Sequence, residues 1–165
     1  EIDRDQAGSN NDLILLCVLK GSISFMSALM QKIKTPMEID FMKASSYYGG
    51  IKSTGNISIQ LDINRQTFHN CDIIVVEDII DSGRTLSRLM EYLHTKGADS
   101  VRTVTMLDKP MCRLVPFEPD YVGVTIPDEF VVGFGLDYEE HYRELPYVGV
   151  LKREIYEKKI APGKE

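Results

Sequence analysis

No two cysteines of this chain stand in C-x-x-C spacing. Cys17, Cys71 and Cys112 are three, an odd number, so neither a disulfide framework nor a zinc site is suggested. A reducing compartment, the cytosol, is therefore the expected location. The three histidines, His69, His94 and His141, lack metal-ligand spacing, and no Ser-His-Asp or Cys-His arrangement is legible. No apolar run approaches the length of a membrane span, and no signal peptide is visible. Basic residues are outnumbered, 19 Lys and Arg against 25 Asp and Glu, for a net charge of -6. That balance argues against a nucleic-acid surface, which needs a basic stripe. It leaves room for a polyanionic small molecule, because Mg²⁺ and a few placed cations can neutralise phosphates locally. No G-x-G-x-x-G follows a strand, which weakens a dinucleotide reading, and no Walker A loop is present.

What is present suits a single globular domain over residues 1–165, with 43% hydrophobic and 27% charged residues and enough length to bury a core. The chain begins at Glu1 with no initiator Met, which leaves room for a preceding N-terminal segment. Strands are expected at 13–19, 36–42, 73–76, 101–107, 120–125 and 147–151, with short ones at 56–61 and 131–135. Helices are expected at about 22–33, with Ile23, Met26, Met30 and Ile33 as a core-facing stripe, and after residues 82–85, where Leu86, Leu89, Met90 and Leu93 recur at helical spacing up to an end near Gly97. Strands alternating with helices imply an α/β fold, a mainly parallel doubly wound sheet flanked by helices. Residues 44–55, rich in Ser, Tyr, Gly and Thr, lack either period and read as a mobile loop, within a flexible region of about 44–66.

The most informative stretch is Asp72 to Thr85. Ile73, Ile74, Val75 and Val76 form a continuous apolar, β-branched run, as in a parallel strand covered on both faces. Ligands bind at the carboxyl ends of such strands. Glu77, Asp78 and Asp81 follow with no neighbouring lysine, a costly arrangement unless sugar hydroxyls, a metal or water take up the charge. Ser82, Gly83, Arg84 and Thr85 then supply a turn, hydroxyls and main-chain N–H groups at a helix N-terminus, where a phosphate is favoured. On the residues alone a strand, an acidic loop and a capped helix without ligand stays open, with Asp81 a plain N-cap. Lys20 and Gly21 sit in a Leu-Lys-Gly-Ser turn, where glycine lets the main chain approach an anion.

The segment Val-Val-Glu-Asp-Ile-Ile-Asp-Ser-Gly-Arg-Thr resembles the phosphoribosyl-pyrophosphate (PRPP) signature of type I phosphoribosyltransferases. Val18 to Ser22, Leu107 to Pro110 and Ile126 to Tyr138 narrow the resemblance to the hypoxanthine(-guanine) phosphoribosyltransferases, especially the short bacterial type, over residues 13–151. The resemblance implies a small hood over the main sheet and a closing active-site loop. It implies that Glu77 and Asp78 hold the ribose hydroxyls and their Mg²⁺, that Asp81, Ser82, Gly83, Arg84 and Thr85 cradle the 5′-phosphate, and that Asp81 is the general acid/base at purine N7. By the same resemblance Lys20 and Gly21, after a cis peptide, and Arg143 bind pyrophosphate. Ser46 and Tyr47 belong to the closing loop, and Asp137 lies near a second Mg²⁺ and the purine edge. Taken alone, Lys20 and Arg143 could be solvated surface charges, Phe130 a core aromatic and the 44–55 stretch an ordinary loop.

The base pocket can be reasoned further. Lys109, matched to the family lysine, presents only donors, which suit a 6-oxo group and oppose the 6-amino group of adenine. The carbonyl of Val131 would accept N1–H of hypoxanthine or guanine, a hydrogen adenine lacks, and Phe130 would stack on the ring. The expected activity is therefore purine salvage, PRPP with hypoxanthine or guanine giving IMP or GMP and pyrophosphate. The implied assembly is a homodimer or homotetramer, with no membrane or nucleic-acid partner. A pyrimidine or adenine transferase is the nearest competitor among enzymes. A non-catalytic PRPP-sensing regulator that binds nucleic acid is the alternative from another class, and the acidic balance opposes it.

Overall fold

Two runs of apolar residues that alternate between the faces of one sheet organise the molecule. The computed structural model describes residues 1–46, 57–63, 65 and 67–157. The elements in chain order are α1 (Ile2–Asp5), β1 (Asp12–Val18), α2 (Ile23–Met30), β2 (Met37–Ser46), β3 (Ile57–Leu61), β4 (Cys71–Ile80), α3 (Arg84–Thr95), β5 (Ser100–Asp108), a 3₁₀ turn (Pro110–Cys112), β6 (Tyr121–Thr125), β7 (Val131–Val132), β8 (Gly149–Val150) and α4 (Arg153–Tyr156). The main sheet runs β3-β2-β1-β4-β5-β6, and β7 and β8 form a separate pair. All neighbours among β2, β1, β4, β5 and β6 are parallel, with Leu15 facing Ile39 on one side and Ile74 on the other; β3 alone is antiparallel, on β2. This is the expected doubly wound architecture.

Because successive side chains point to opposite faces of a strand, β1 and β4 each feed two cores. Ile14, Leu16 and Val18 with Ile73 and Val75 meet Leu86, Leu89 and Leu93 of α3 on one face. Leu13, Leu15 and Cys17 with Ile74 and Val76 meet Met26 of α2 on the other. Burial on both faces is why the Ile73–Val76 run is unbroken.

Four expectations need adjusting. β4 does not end at Val76 but carries Glu77 and Asp78 on to Ile80, because β5 continues to pair beside it, Glu77 opposite Thr105 and Ile80 opposite Asp108. β2 runs past Met42 to Ser46, since β3 supplies an antiparallel partner, Ser46 opposite Ile57; Ala44–Ser46 are strand, not loop. α2 is only eight residues long, its inward face is centred on Met26 with Phe25, Leu29 and Met30 packed alongside, and Ile23 is 50% exposed instead of buried. In the hood, the longer runs expected there shrink to a ladder of Val131–Val132 on Gly149–Val150, while Gly133 turns back to an isolated bridge with Leu136. Among the described residues no helix is long and apolar enough to cross a membrane.

At the amino end of β4, away from the site, buried Asp72 accepts from four side chains: Gln6 Nε2 at 2.6 Å, Ser9 Oγ at 2.7 Å, Asn11 Nδ2 at 3.3 Å and Ser100 Oγ at 2.5 Å. Burial alone would raise its pKa, but the donors from Ser100, Ser9, Gln6 and Asn11 outweigh it and bring the carboxyl down to about 2. A folded-state pKa below the unfolded one stabilises the fold above the unfolded value and ceases to as pH falls through the folded value. Here that is the window from about pH 4 down to 2, and the shift corresponds to about 2 kcal/mol. Asp72→Asn is expected to be less stable than the parent by about that amount near neutrality, with the gap closing between pH 4 and 2 in urea titrations. A gap independent of pH would contradict this account of Asp72.

Candidate functional site

The order β2-β1-β4-β5 places the turns after β1, β4 and β5 side by side at the carboxyl edge of the sheet, with the crevice between β1 and β4 at the point where the connections change direction. Each turn carries residues singled out above.

After β1, the peptide bond between Leu19 and Lys20 is cis, as the resemblance implies. The next residue, Gly21, is buried, and a Cβ placed on it would lie 1.6 Å from Asp78 Oδ2. Only glycine lets this turn lie against the carboxylate. Ser22, which no sequence argument assigned a role, joins the two turns. Its Oγ donates to Glu77 Oε2 at 3.3 Å and accepts from the Asp78 N–H at 3.1 Å.

Glu77 and Asp78 stand at the end of β4. Burial, then the neighbouring Asp78 charge, raises Glu77 well above the carboxylate range, against the Ser22 hydroxyl. Burial pushes Asp78 up to about 6, opposed by main-chain N–H groups, that of Ile79 foremost, and by the Arg143 charge. Among the described residues neither carboxylate lies within 4.0 Å of a Lys, Arg or His nitrogen. Two half-buried acids with no cation within that distance are suited to a divalent ion or to sugar hydroxyls.

Beyond them, Asp81 is exposed and Ser82, Gly83 and Arg84 turn the chain into α3. Gly83, at φ 76°, is the N-cap, and no side chain caps the helix. Asp81 is therefore not a helix cap; the Arg84 N–H reaches Ser82 Oγ at 3.5 Å, and the rest of the first turn of α3 faces no capping side chain, which suits an anion. Gly83 also packs against Phe117, whose Cβ would lie 2.9 Å from a Cβ placed there. A cavity of about 110 Å³ is lined by Glu77, Asp81, Ser82, Gly83 and Thr85 among others.

Lys109 follows β5 with its N–H bonded to Ile80 O at 2.9 Å and its side chain 8% exposed; Nζ lies 3.5 Å from Asp128 Oδ1. The Cys112 thiol is pushed up to about 11 by burial and by the neighbouring Asp81 and Asp128 carboxylates. Across the hood, Phe130 is 39% exposed, stacked on Tyr156 at 5.1 Å and met edge-on by Tyr138 at 5.7 Å. Val131 opens β7 opposite Val150. Phe130 is thus a half-open aromatic surface, not a core residue.

The hood loop carries Arg143. Arg143 Nη2 lies 2.8 Å from Asp137 Oδ1, and Nη1 donates to Gly135 O at 2.7 Å. Glu140 bridges Arg143 at 3.4 Å and Lys20 Nζ at 3.0 Å, so Lys20 and Arg143 belong to one charge cluster. Lys20 holds the Glu140 carboxyl below its usual range. Arg143 Nε is buried without a partner. Asp137 faces this arginine and accepts the Glu140 N–H at 2.8 Å. Among the described residues no group of three or more His, Cys, Asp or Glu side chains is gathered in one place. Of the two residues expected in a closing loop, Ser46 ends β2, and Tyr47 lies outside the described residues.

Residues 1–139 match the phosphoribosyl transferase domain family. The chain is 54% identical over 145 residues to a hypoxanthine-guanine phosphoribosyltransferase of Lactococcus lactis subsp. lactis, covering 88% of this chain and 78% of that protein. Its structure is similar to a crystal structure of a hypoxanthine phosphoribosyltransferase from Staphylococcus aureus, with TM-score 0.87, 46% identity, and coverage of 94% of this chain and 83% of that one. It is also similar, with TM-score 0.87 and 38% identity over 94% of this chain and 86% of that one, to the hypoxanthine phosphoribosyltransferase of Trypanosoma cruzi in complex with the product IMP.

Proposed function

Since the chain belongs to the phosphoribosyltransferase family, we infer that it transfers the 5-phosphoribosyl group of PRPP to hypoxanthine or guanine, giving IMP or GMP and pyrophosphate in purine salvage. The observation that carries this reading is the N-terminus of α3, whose N-cap Gly83 brings no side chain to close it, set directly behind Asp81 and beside two half-buried carboxylates at the same strand end. That edge offers N–H groups for a phosphate and acids for a ribose within one turn of chain.

The C1′–N9 bond forms as the bond from C1′ to the pyrophosphate oxygen breaks, and the electron pair leaves with pyrophosphate. Asp81 accepts the proton from N7 of the base, which restores a neutral purine in the product. The N–H groups and hydroxyls of Ser82, Gly83, Arg84 and Thr85 hold the 5′-phosphate, fixing C1′ relative to Asp81. Lys20, the Gly21 main chain and Arg143 receive the pyrophosphate. Glu77 and Asp78, half-buried acids with no cation within 4.0 Å, would hold Mg²⁺ carried in by PRPP, and Asp137 would serve a second ion. When bound, Mg²⁺ would neutralise charge on the leaving pyrophosphate. Few protein carboxylates are needed, because Mg²⁺ takes most of its ligands from substrate and water.

Lys109 aims donors at the 6-oxo group, the Val131 carbonyl accepts N1–H, and Phe130 stacks on the ring. Both polar contacts are reversed for adenine. Ser46 and Tyr47 belong to the segment that closes over the reacting atoms and keeps water from the activated ribose. The proposed setting is the cytoplasm and the proposed assembly a homodimer or homotetramer. The net charge of -6 and relatives that are themselves transferases support catalysis over a nucleic-acid-binding sensor.

The test is to mix the protein with PRPP and Mg²⁺ and with hypoxanthine, guanine or adenine in turn. IMP and GMP are expected, and AMP is expected to form at least about 100-fold more slowly. No turnover with either 6-oxopurine would refute the reading.

A further inference from the structure

Arg113 lies in the loop after the Pro110–Cys112 turn, and its guanidinium makes five hydrogen bonds. Nε donates to Phe117 O at 3.0 Å. Nη1 donates to Ile80 O at 3.0 Å, Asp81 O at 2.8 Å and Lys109 O at 3.2 Å, and Nη2 pairs with the Asp108 carboxylate. The two side chains of that ion pair are 13% and 8% exposed. An arginine needed only to neutralise Asp108 would have no call on four carbonyls. These come from the end of β4, from the residue after β5, and from Phe117, the residue packed on Gly83.

We propose that Arg113 is a positioning residue for the transfer reaction, setting the spacing between Asp81 and Lys109 by holding both main chains on one guanidinium. The proposal rests on the roles given above to those two residues. O6 and N7 belong to one rigid ring, so a base reaches Lys109 and Asp81 together only if the two side chains keep one separation. Asp81 is exposed and follows the last residue of β4, and Lys109 follows the last residue of β5. Main-chain bonds between the two loops run from Lys109 N–H to Ile80 O and from Leu114 N–H to Ser82 O, on either side of Asp81. Arg113 adds the link to the Asp81 carbonyl itself. A planar fork with five donors can span these acceptors, whereas an ammonium has three donors on a single nitrogen.

The test compares Arg113→Lys and Arg113→Ala with the parent, full chain, with PRPP and Mg²⁺, measuring kcat, KM for each substrate, and thermal unfolding. Arg113→Lys is expected to fold, to keep KM for PRPP within about threefold, and to lose about 100-fold in kcat with hypoxanthine, as a misplacement of about 1 Å would produce. Methylguanidine added to Arg113→Ala is expected to restore kcat by at least about tenfold, since it returns the planar donors. A folded Arg113→Lys with kcat within about twofold of the parent overturns the positioning role. A loss that only tracks the folded fraction overturns it too. Should Arg113→Ala fail to fold, Arg113→Lys decides alone. A parent protein inactive on both 6-oxopurines would instead overturn the functional reading, and this proposal with it.

Discussion

Asp81→Asn is expected to lower turnover with hypoxanthine by about 10²- to 10⁴-fold, about 3–5 kcal/mol on the barrier, while PRPP affinity changes by no more than about threefold. The asparagine keeps the size and an acceptor oxygen of the carboxylate but cannot take the N7 proton. The phosphate contacts assigned to this turn come from main-chain N–H groups and hydroxyls of Ser82 to Thr85, which the substitution leaves in place. Since Gly83 and not Asp81 is the N-cap of α3, no helix cap is lost either, and the unfolding midpoint should hold. Steady-state kinetics beside a direct PRPP titration provide the check. Equal losses in turnover and in PRPP binding would assign Asp81 to binding.

Gly21→Ala is expected to do comparable damage by another route. The new methyl would sit 1.6 Å from Asp78 Oδ2 and 2.7 Å from its Cγ. Asp78 cannot swing aside freely, because its Oδ1 accepts the Ile79 N–H at 2.7 Å. The turn is confined from the other side too: a Cβ on Gly135 would meet Gly21 O at 1.9 Å, so the hood main chain is packed on it. Either Asp78 leaves the ribose or the Lys20–Gly21 turn leaves the pyrophosphate, and each removes a PRPP contact. A fall of about 10²- to 10³-fold in kcat/KM for PRPP is expected, about 3–4 kcal/mol. The overpacking itself should cost about 1–3 kcal/mol of stability, because both apolar cores lie below the turn. An alanine variant with unchanged kcat/KM for PRPP would show that the turn does not need this close approach.

Much of this site is legible in the chain itself because its parts are local. The apolar run Ile73–Val76 marks a central strand, Leu86, Leu89 and Leu93 mark the helix after it, and the acids and small residues between them mark the ligand edge. Pairing across the sheet is not local. Glu77 and Asp78 belong to β4 because β5 runs on beside them, and Ala44–Ser46 belong to β2 because β3 returns alongside. Neither partner's register can be read from the segment it extends. The stripe of α2 fails at Ile23 for a similar reason, since a helix of eight residues turns only its Met26 side to the sheet.

The residues that join the parts left no local signal. Ser22 bridges to Asp78 across 56 positions of chain, Glu140 reaches Lys20 across 120, and Arg113 reaches Ile80 across 33. Each is an ordinary polar residue until the fold brings its partners together.

The central claim is that the acidic strand end and the first turn of α3 hold a phosphorylated ribose with its base directed at Lys109. A crystal structure of the protein with IMP tests it most directly. The account predicts the 5′-phosphate within hydrogen-bond reach of the main-chain N–H groups of residues 82–85, the ribose hydroxyls on Glu77 and Asp78, and O6 on Lys109 Nζ. IMP bound elsewhere, or seated there with its phosphate turned away from α3, would contradict it.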